Sequence, residues 1–277
     1  MRRLFISADL EGCAGVSSQL ALAPDRPEWI AARRWMANEV RAVADAALEN
    51  GYDEVIVADS HGNGHNIDPD LLPAGTHLIR SWPRPLLHVQ GIEMEDVCAC
   101  AMIGYHCGST SVSGTLAHSF SGPAFRSIKL NGEPCSEGYF GAAVAGELGK
   151  PVVLVSGDDA FVRESAAFAA AATRFCSKRS LGWRSQMSES PARVCEGLKR
   201  AAASAFAAPL PEPFRLKGPY VMELSMTTQL AAEMLAYVPN VERVDAFSVS
   251  VSFGRLVPAL RFLAFAMFYS PSGVLPF

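Results

Sequence analysis

The 277-residue sequence contains few charged side chains and no run of a single charge sign. Charged residues make up 19% of the chain, below the quarter that is usual in globular proteins. This indicates much buried surface or an oligomer. Lysine and arginine together number 24 against 28 acidic residues, a formal net charge of −4. We therefore expect no binding to nucleic acid or to an anionic membrane surface.

Long hydrophobic runs and paired cysteines are also lacking. The apolar stretch near the N-terminus is too short for a signal peptide, and residues 256–269 fall short of the roughly 18 residues that a membrane span needs. The seven cysteines are scattered and form no CxxC pair. These absences predict reduced thiols and a cytoplasmic location. GxSxG, HExxH and Walker A motifs are absent too.

Apolar strand signals alternate with helical signals in the first 172 residues. This alternation predicts a mostly parallel sheet with helices on both faces. The predicted strands are 4–8, 54–58, 77–80, 97–103 and 151–156, and the predicted helices are 28–49, 137–148 and 159–172. Residues 125–130, before Asn131-Gly132, resemble one arm of a hairpin.

The composition changes at about residue 173, where serine, arginine and lysine become frequent. Beyond this point we predict helices and strands in mixed order, with a stiff proline-rich linker at 209–213. The predicted helices are 191–207, 228–237 and one at the C-terminus, and the predicted strands are 220–225 and 246–252. The expected division is an α/β metal-binding catalytic domain, 1–172, and a smaller α+β domain, 173–277, with a role in oligomerisation as one option.

Acidic residues and histidines follow three of the predicted strands. Asp9 and Glu11 follow the first strand, His61 the second and His106 the fourth. In an open parallel sheet, sites are built at the carboxyl edge of the strands. Asp9 and Glu11 are two positions apart and point to the same side of an extended chain. Two carboxylates and two imidazoles suit Zn²⁺ or a similar divalent ion.

Two further residues extend this predicted site. Glu137 begins a predicted helix and can add a fifth ligand. Because a catalytic zinc usually takes three protein ligands, five ligands with one bridging carboxylate suit a pair of ions. His118 lies in a loop of small residues, where it can act as a general acid or base. The other three histidines have no such setting and are assigned to surface or structural roles: His65, His77 and His88.

Each candidate residue also has an ordinary structural interpretation. Asp9 can cap a turn, Glu11 can be a solvated loop acid, and His61 can lie on the surface. A lone histidine such as His106 or His118 is often structural. The coincidence of these residues at adjacent strand ends favours the metal site. A different interpretation makes Cys135 a thiolate nucleophile at a helix N-terminus, with one of these two histidines as its base.

The pattern Ser7-x-Asp9-x-Glu11-Gly12 resembles the SxDxEG hallmark of the zinc-dependent, self-compartmentalising D-aminopeptidases. The resemblance covers roughly residues 4–160, with its motifs in the family's order. The further matching segments are Asp59-Ser60-His61, Gly104-Tyr105-His106, Ala117-His118-Ser119, Asn131-Gly132-Glu133 with Glu137, and Val155-Ser156-Gly157-Asp158-Asp159.

The resemblance implies an activity, a cofactor and an assembly. The activity is removal of N-terminal D-amino acids from short peptides, and the assembly is a homo-oligomer of stacked rings, a decamer, around an inner chamber. The cofactor is two zinc ions per subunit, with His118 as the catalytic histidine beside them. The implied ligands are Asp9 as the bridge, with Glu11, His61, His106 and Glu137.

The sequence departs from the family pattern at two places. The loop 107–113 after His106 has no basic residue and places Cys107 beside a ligand, and the C-terminal end, 270–277, is atypical. The apolar segment 249–277 belongs either to the monomer core or to a subunit interface, which the ring-forming family favours. Two other functions stay open: a metal-dependent amidase or esterase on a non-D-peptide substrate, and a non-catalytic metal-binding assembly protein.

Overall fold

The computed structural model describes residues 1–270 and contains two β-sheets with six α-helices. The strands are β1 (Arg3–Ala8), β2 (Glu54–Asp59), β3 (Thr76–Ile79), β4 (Val97–Tyr105), β5 (Phe125–Leu130), β6 (Glu133–Pro134), β7 (Val152–Asp158), β8 (Thr173–Gly182), β9 (Ser185–Met187), β10 (Tyr220–Met226), β11 (Glu242–Arg243) and β12 (Ser248–Phe253). The helices are α1 (Trp29–Glu49), α2 (Glu137–Glu147), α3 (Asp159–Glu164), α4 (Pro191–Ala207), α5 (Gln229–Leu235) and α6 (Leu256–Phe268).

The larger sheet has seven strands in the order β3-β2-β1-β4-β7-β8-β9. All neighbouring strands are parallel except the last pair, β8 and β9, which is antiparallel. The central strands read as continuous apolar runs because both faces of the sheet are covered. Alternate residues of β1 show this: Leu4 and Ile6 belong to one core cluster and Phe5 to the other.

Helices cover both faces of this sheet, which confirms the predicted α/β fold. The core on one face includes residues of α1 and α4, which pack against each other. The core on the other face includes residues of α2, of α6 and of the second sheet. The carboxyl ends of the parallel strands remain uncovered by these layers, and this edge carries the candidate site.

The second sheet has five antiparallel strands in the order β11-β12-β10-β5-β6. Strands from before and after residue 172 pair with each other in both sheets. β5 and β6, from the first part of the chain, join β10 in the second sheet, whereas β8 pairs with β7 in the first sheet. The division of the chain into domains at 172 and 173 stays a prediction.

The structure differs from the prediction at α3 and at β8. The helix predicted over 159–172 ends at Glu164, and a 3₁₀ turn, Ser165–Ala167, follows it. The hydroxyl of Ser165 donates to the carbonyl of Val162 and so competes with the helical ladder. The strand β8 was not predicted, because it lies near the sheet edge and mixes buried with exposed polar residues.

The structure also bears on membrane insertion and on the cysteines. Over residues 1–270, no helix has the length and apolar character that crossing a membrane requires. All seven cysteines are free thiols. The atypical C-terminal segment, apart from Ser270, lies outside the described residues.

Candidate metal centre

Three strand ends approach one another closely at the carboxyl edge of the larger sheet. The amide of Gly12 donates to the carbonyl of Gly104 at 2.8 Å, which ties the end of β1 to β4. A Cβ atom on Gly12 would lie 1.9 Å from the carbonyl oxygen of Tyr105, and one on Gly157 would lie 2.0 Å from the same atom. Only glycine at these two positions lets the three backbones come this close.

Asp9 lies between two histidines at this edge. His61 Nδ1 is 3.4 Å from Asp9 Oδ1 and 2.9 Å from Glu11 Oε2. His106 Nε2 is 3.4 Å from Asp9 Oδ2 and 3.4 Å from Glu137 Oε1. Each carboxylate oxygen of Asp9 therefore faces a different imidazole, and each imidazole also faces a second carboxylate.

His118 lies at the open side of this cluster. Its Nε2 atom is 3.8 Å from Glu137 Oε1 and 4.0 Å from Glu11 Oε1. Its ring stacks on that of His106, with 4.2 Å between centroids and an interplanar angle of 11°. The His118 side chain is 25% exposed, against 4% for Glu11. His118 is therefore placed to meet a molecule that enters from solvent.

One ring nitrogen of each histidine is held by a backbone carbonyl. These contacts are His61 Nε2 to Leu22 at 2.8 Å, His106 Nδ1 to Cys107 at 3.0 Å and His118 Nδ1 to Leu116 at 2.9 Å. A carbonyl only accepts, so the proton of a neutral ring lies on that nitrogen. The other nitrogen then offers its lone pair to the cluster, the arrangement found for metal-ligating imidazoles.

The cluster concentrates charge in a buried place. Burial and the neighbouring Glu11 raise the pKa of Asp9 to about 7. Burial opposes ionisation of Glu137 as well, but His106 and His118 lower the pKa of that carboxyl to about 2. Burial opposes charge on His61, yet Glu11 and Asp9 raise its pKa well above the ordinary value. Buried carboxylates of this kind need a cation nearby.

The carboxylate and imidazole groups of this cluster fit a divalent metal ion. Asp9 Oδ2 is buried and has no hydrogen-bond partner among residues 1–270. The carboxylate and imidazole donors are those that zinc takes. Three overlapping sets bring their donor atoms within 4.8 Å of one another: Asp9 with Glu11 and His61, Asp9 with His106 and Glu137, and Glu11 with His106 and His118. Asp9 is common to the first two sets.

The structure thus brings together all six residues that the sequence predicted for the site, while their roles as ligands stay a prediction. His65 and His77 are exposed and lie outside it. His88 is buried, donates from Nε2 to the carbonyl of Glu137 at 3.0 Å and has a pKa lowered to about 4 by burial. Burial raises the pKa of the Cys135 thiol, which disfavours a thiolate nucleophile there.

Sequence reasoning missed Lys178, a buried residue of β8. The Lys178 side chain is only 2% exposed, and its ammonium group donates to the backbone carbonyls of Glu11 and Val16. The neighbouring Ser177 hydroxyl lies within hydrogen-bond distance of the carbonyls of Gly12 and, at 2.9 Å, Gly157. A lysine at an inward-facing position of a strand would have indicated its role, but β8 was not predicted, so this pattern could not be recognised.

Glu39 of α1 supports the same loop from another side. It is fully buried, and its Oε1 atom accepts from the amide of Ala14 at 2.8 Å. Burial raises the pKa of Glu39 to about 7, although the charge of Lys178 acts in the opposite sense. The loop that carries Asp9 and Glu11 is therefore fixed by polar groups from α1 and from β8.

A cleft of about 240 Å³ opens onto the cluster. Asp9, Glu11, His61, His118 and Glu137 line it on the polar side. The rest of the lining includes five large apolar side chains, Trp82, Leu87, Phe120, Met267 and Phe268, together with Ser60, Gly62, His88, Ser121, Gly122 and Pro123. Four of the five candidate ligands, all except His106, are thus reachable by a small molecule, with apolar surface beside them.

Comparisons with known proteins agree with the motif resemblance. A D-aminopeptidase of Bacillus subtilis (strain 168) is 28% identical over 163 residues, a match that spans 59% of this chain and 58% of that relative. The solved structure of the Zn-dependent D-aminopeptidase DppA from Bacillus subtilis, a self-compartmentalizing protease, superposes with a TM-score of 0.90 at 24% identity, covering 97% of this chain and 99% of the other. The family model Peptidase_M55, described as D-aminopeptidase, matches residues 1–265. The chain therefore belongs to the Peptidase_M55 family of D-aminopeptidases.

Proposed function

We propose that the protein is a metal-dependent aminopeptidase that removes an N-terminal D-amino acid from short peptides at a centre of two zinc ions. The observation that carries this proposal is the position of Asp9, whose carboxylate belongs to two donor sets at once. The Bacillus subtilis protein of the same fold is Zn-dependent and a D-aminopeptidase. The preference for D-amino acids rests on family membership and not on the site geometry.

The proposed ligands divide between the two ions. Glu11 and His61 would hold one ion, His106 and Glu137 would hold the other, and Asp9 would contribute to both sets. Bound zinc supplies Lewis acidity and lowers the pKa of water. The carbonyls of Leu22 and Cys107 hold the two imidazoles in the orientation that this binding needs.

His118 is the proposed proton carrier. Its Nδ1 proton is engaged by the carbonyl of Leu116, so Nε2 is the atom that can accept or return a proton. This atom faces Glu11 and Glu137 at the open side of the cluster. General acid–base catalysis needs such a group within reach of the substrate, and His118 is the most exposed polar side chain of the cluster.

The cleft supports a small substrate with a free amino group. Its volume of about 240 Å³ suits a short peptide, not a folded protein segment. A substrate amino group that reaches the cluster would meet the proposed zinc ions and their carboxylate ligands. Substrate binding at this end of a peptide is what an aminopeptidase requires.

We also propose a homo-oligomer, a ring assembly of ten subunits as the family resemblance implies, in the cytoplasm. DppA, the protein of the same fold, is self-compartmentalizing. One side of α6 is buried through Leu256, Leu260 and Leu263, while Phe265 and Tyr269 are 39% and 67% exposed. Light scattering tests the assembly, and a mass near 29.6 kDa would refute it.

Paired peptide assays test the proposed activity. Zinc-loaded protein is expected to cleave D-Ala-D-Ala and not L-Ala-L-Ala, and a chelator is expected to abolish the cleavage. Metal-dependent hydrolysis of an amide or ester without cleavage of either dipeptide would favour the amidase or esterase. Bound zinc without any hydrolysis would favour a non-catalytic metal-binding protein.

A further inference from the structure

The apolar side of the cleft is built from parts of the chain that supply no proposed ligand. Only the loop of Phe120 also carries a residue of the cluster, His118. Trp82 and Leu87 follow β3, and Met267 and Phe268 form the last turn of α6. We name these five residues, Trp82, Leu87, Phe120, Met267 and Phe268, the apolar wall. The wall lines the same cleft as the candidate ligands, so a substrate held at the ligands also contacts it.

Phe120 is fixed in the wall by a candidate ligand. Its backbone amide donates to Glu137 Oε1 at 2.7 Å, and its φ angle is +60°. A bulky residue rarely adopts this left-handed conformation, so surrounding contacts must hold it. Its ring packs edge-on against His88 at 5.2 Å and Phe140 at 6.1 Å. The ring therefore keeps a set position relative to the ligand cluster.

Trp82 is also held in place by a hydrogen bond, on another side of the cleft. Its indole Nε1 donates to the carbonyl of Gly62 at 2.7 Å, directly after His61. Its ring lies 5.5 Å from that of Phe268 and 4.2 Å from the guanidinium carbon of Arg84. Because its one polar atom is already engaged, Trp82 offers only apolar ring surface to the cleft.

The wall and the ligand cluster differ sharply in polarity. Three buried carboxylates lie on one side, and in the described part of the chain no lysine or arginine lines the cleft. An acidic substrate side chain would lose hydration against the wall and would find no lysine or arginine there to pair with. An aliphatic or aromatic side chain would instead gain by burial against the wall.

We propose that the apolar wall selects substrates whose N-terminal residue has an uncharged apolar side chain, with Met267 of α6 as a specificity-determining residue. This inference rests on the proposed function, since it concerns the substrate of that same site. It assigns to α6, a helix remote in sequence from every candidate ligand, a direct contact with substrate.

Binding of amino-acid hydroxamates tests the proposal without requiring turnover. The hydroxamate group binds zinc, so a series differing only in side chain reports on the wall. Calorimetry on zinc-loaded protein would compare the glycine, D-alanine, D-leucine and D-aspartic α-hydroxamates. We expect affinity to rise from glycine to D-leucine by about tenfold or more, in line with what added methylenes contribute in a pocket. The D-aspartic compound should bind no better than the glycine compound.

Three substitutions on α6 make the test specific. Met267→Ala is expected to remove most of the preference for the D-leucine over the glycine hydroxamate. Met267→Leu, which keeps the apolar volume, should retain the preference. Phe265→Ala is the matched control, because Phe265 lies on the same helix but outside this cleft. Thermal unfolding would verify that each variant is folded.

Several results would overturn the proposal. These are equal affinity across the series, tight binding of the D-aspartic compound, binding of none of the series, or a D-leucine preference that Met267→Ala leaves intact. Selective hydroxamate binding without cleavage of D-Ala-D-Ala would contradict the proposed function and support the wall. Cleavage of D-Ala-D-Ala together with equal affinity for all the hydroxamates would support the proposed function and contradict the role of the wall.

Discussion

The ammonium group of Lys178 donates a hydrogen bond to the backbone carbonyl of Glu11. The same group donates to the carbonyl of Val16, so one side chain joins both ends of the loop between them. Lys178 touches the loop backbone and not the carboxylates, and it is therefore a positioning residue. Since Asp9 lies only two residues before Glu11, the spacing of the candidate ligands depends on a residue of β8.

Replacing Lys178 by methionine is expected to weaken zinc binding. Both carbonyls would lose a buried donor, at a cost of about 1–3 kcal/mol each. Supporting residues of this kind typically change metal affinity by about 10–100-fold. Chelator competition well below the unfolding temperature would measure this. Lys199→Met is the control, because Lys199 forms only an exposed ion pair with Glu49. Unchanged zinc affinity in Lys178→Met would remove the positioning role.

Substitution of either candidate histidine ligand is expected to remove metal and activity together. His61→Ala deletes a donor beside Glu11, and His106→Ala deletes one beside Glu137. Elemental analysis of dialysed protein would show less than the wild-type content of up to two zinc ions per chain. His77→Ala, at an exposed histidine, should keep full occupancy. Full occupancy in both site variants would reject these ligand assignments.

His118→Ala is expected to keep the metals and lose activity. The five proposed ligands remain in place, whereas the proton carrier at the open side of the cluster is gone. We expect a loss of about 10²-fold or more in kcat. Zinc content and D-Ala-D-Ala turnover would be measured on the same sample, with His65→Ala as a control at an exposed histidine. Normal turnover would return His118 to a structural role.

Glu39 is expected to make stability fall as pH rises. Its pKa is about 7 in the folded protein against an ordinary value of 4.5, so the folded state binds the proton more tightly. Its favourable contribution is complete below about pH 4.5 and is lost as pH rises through 7. The difference corresponds to about 3 kcal/mol. Lys178, Cys13 and Cys195 are the titratable groups that interact with it.

Glu39→Gln is therefore expected to flatten this pH dependence. Urea unfolding of zinc-loaded protein at pH 5 and pH 8 would give the change in free energy of unfolding for wild type and variant. The wild type should lose more stability over this interval than the variant does. Glu49→Gln, at an exposed carboxylate, should behave as the wild type. Equal losses in wild type and Glu39→Gln would contradict the prediction.

The parts of the molecule that local patterns specify were predictable. Asp9, His61 and His106 follow apolar strands, and parallel strands bring their carboxyl ends to one edge. The position of β5 had no such signal, because its partner β10 lies about ninety residues further along the chain. The burial of Lys178 was not predictable for the same reason. It results from contacts with residues 11 and 16, which are distant in sequence, and not from the residues beside it in the chain.

Substitutions at the close backbone contacts of Gly12 and Gly157 differ in their consequences from substitutions in the apolar wall. These backbone contacts set the distances between the ligand-bearing strand ends. Even the smallest side chain at either glycine would overlap a carbonyl oxygen and push the strand ends apart. The apolar wall consists of side chains from loops and from α6, where one substitution changes size or polarity without moving the strands. If the wall selects the substrate side chain as proposed, point mutations in it can change substrate preference while the backbone contacts keep the strand ends in place.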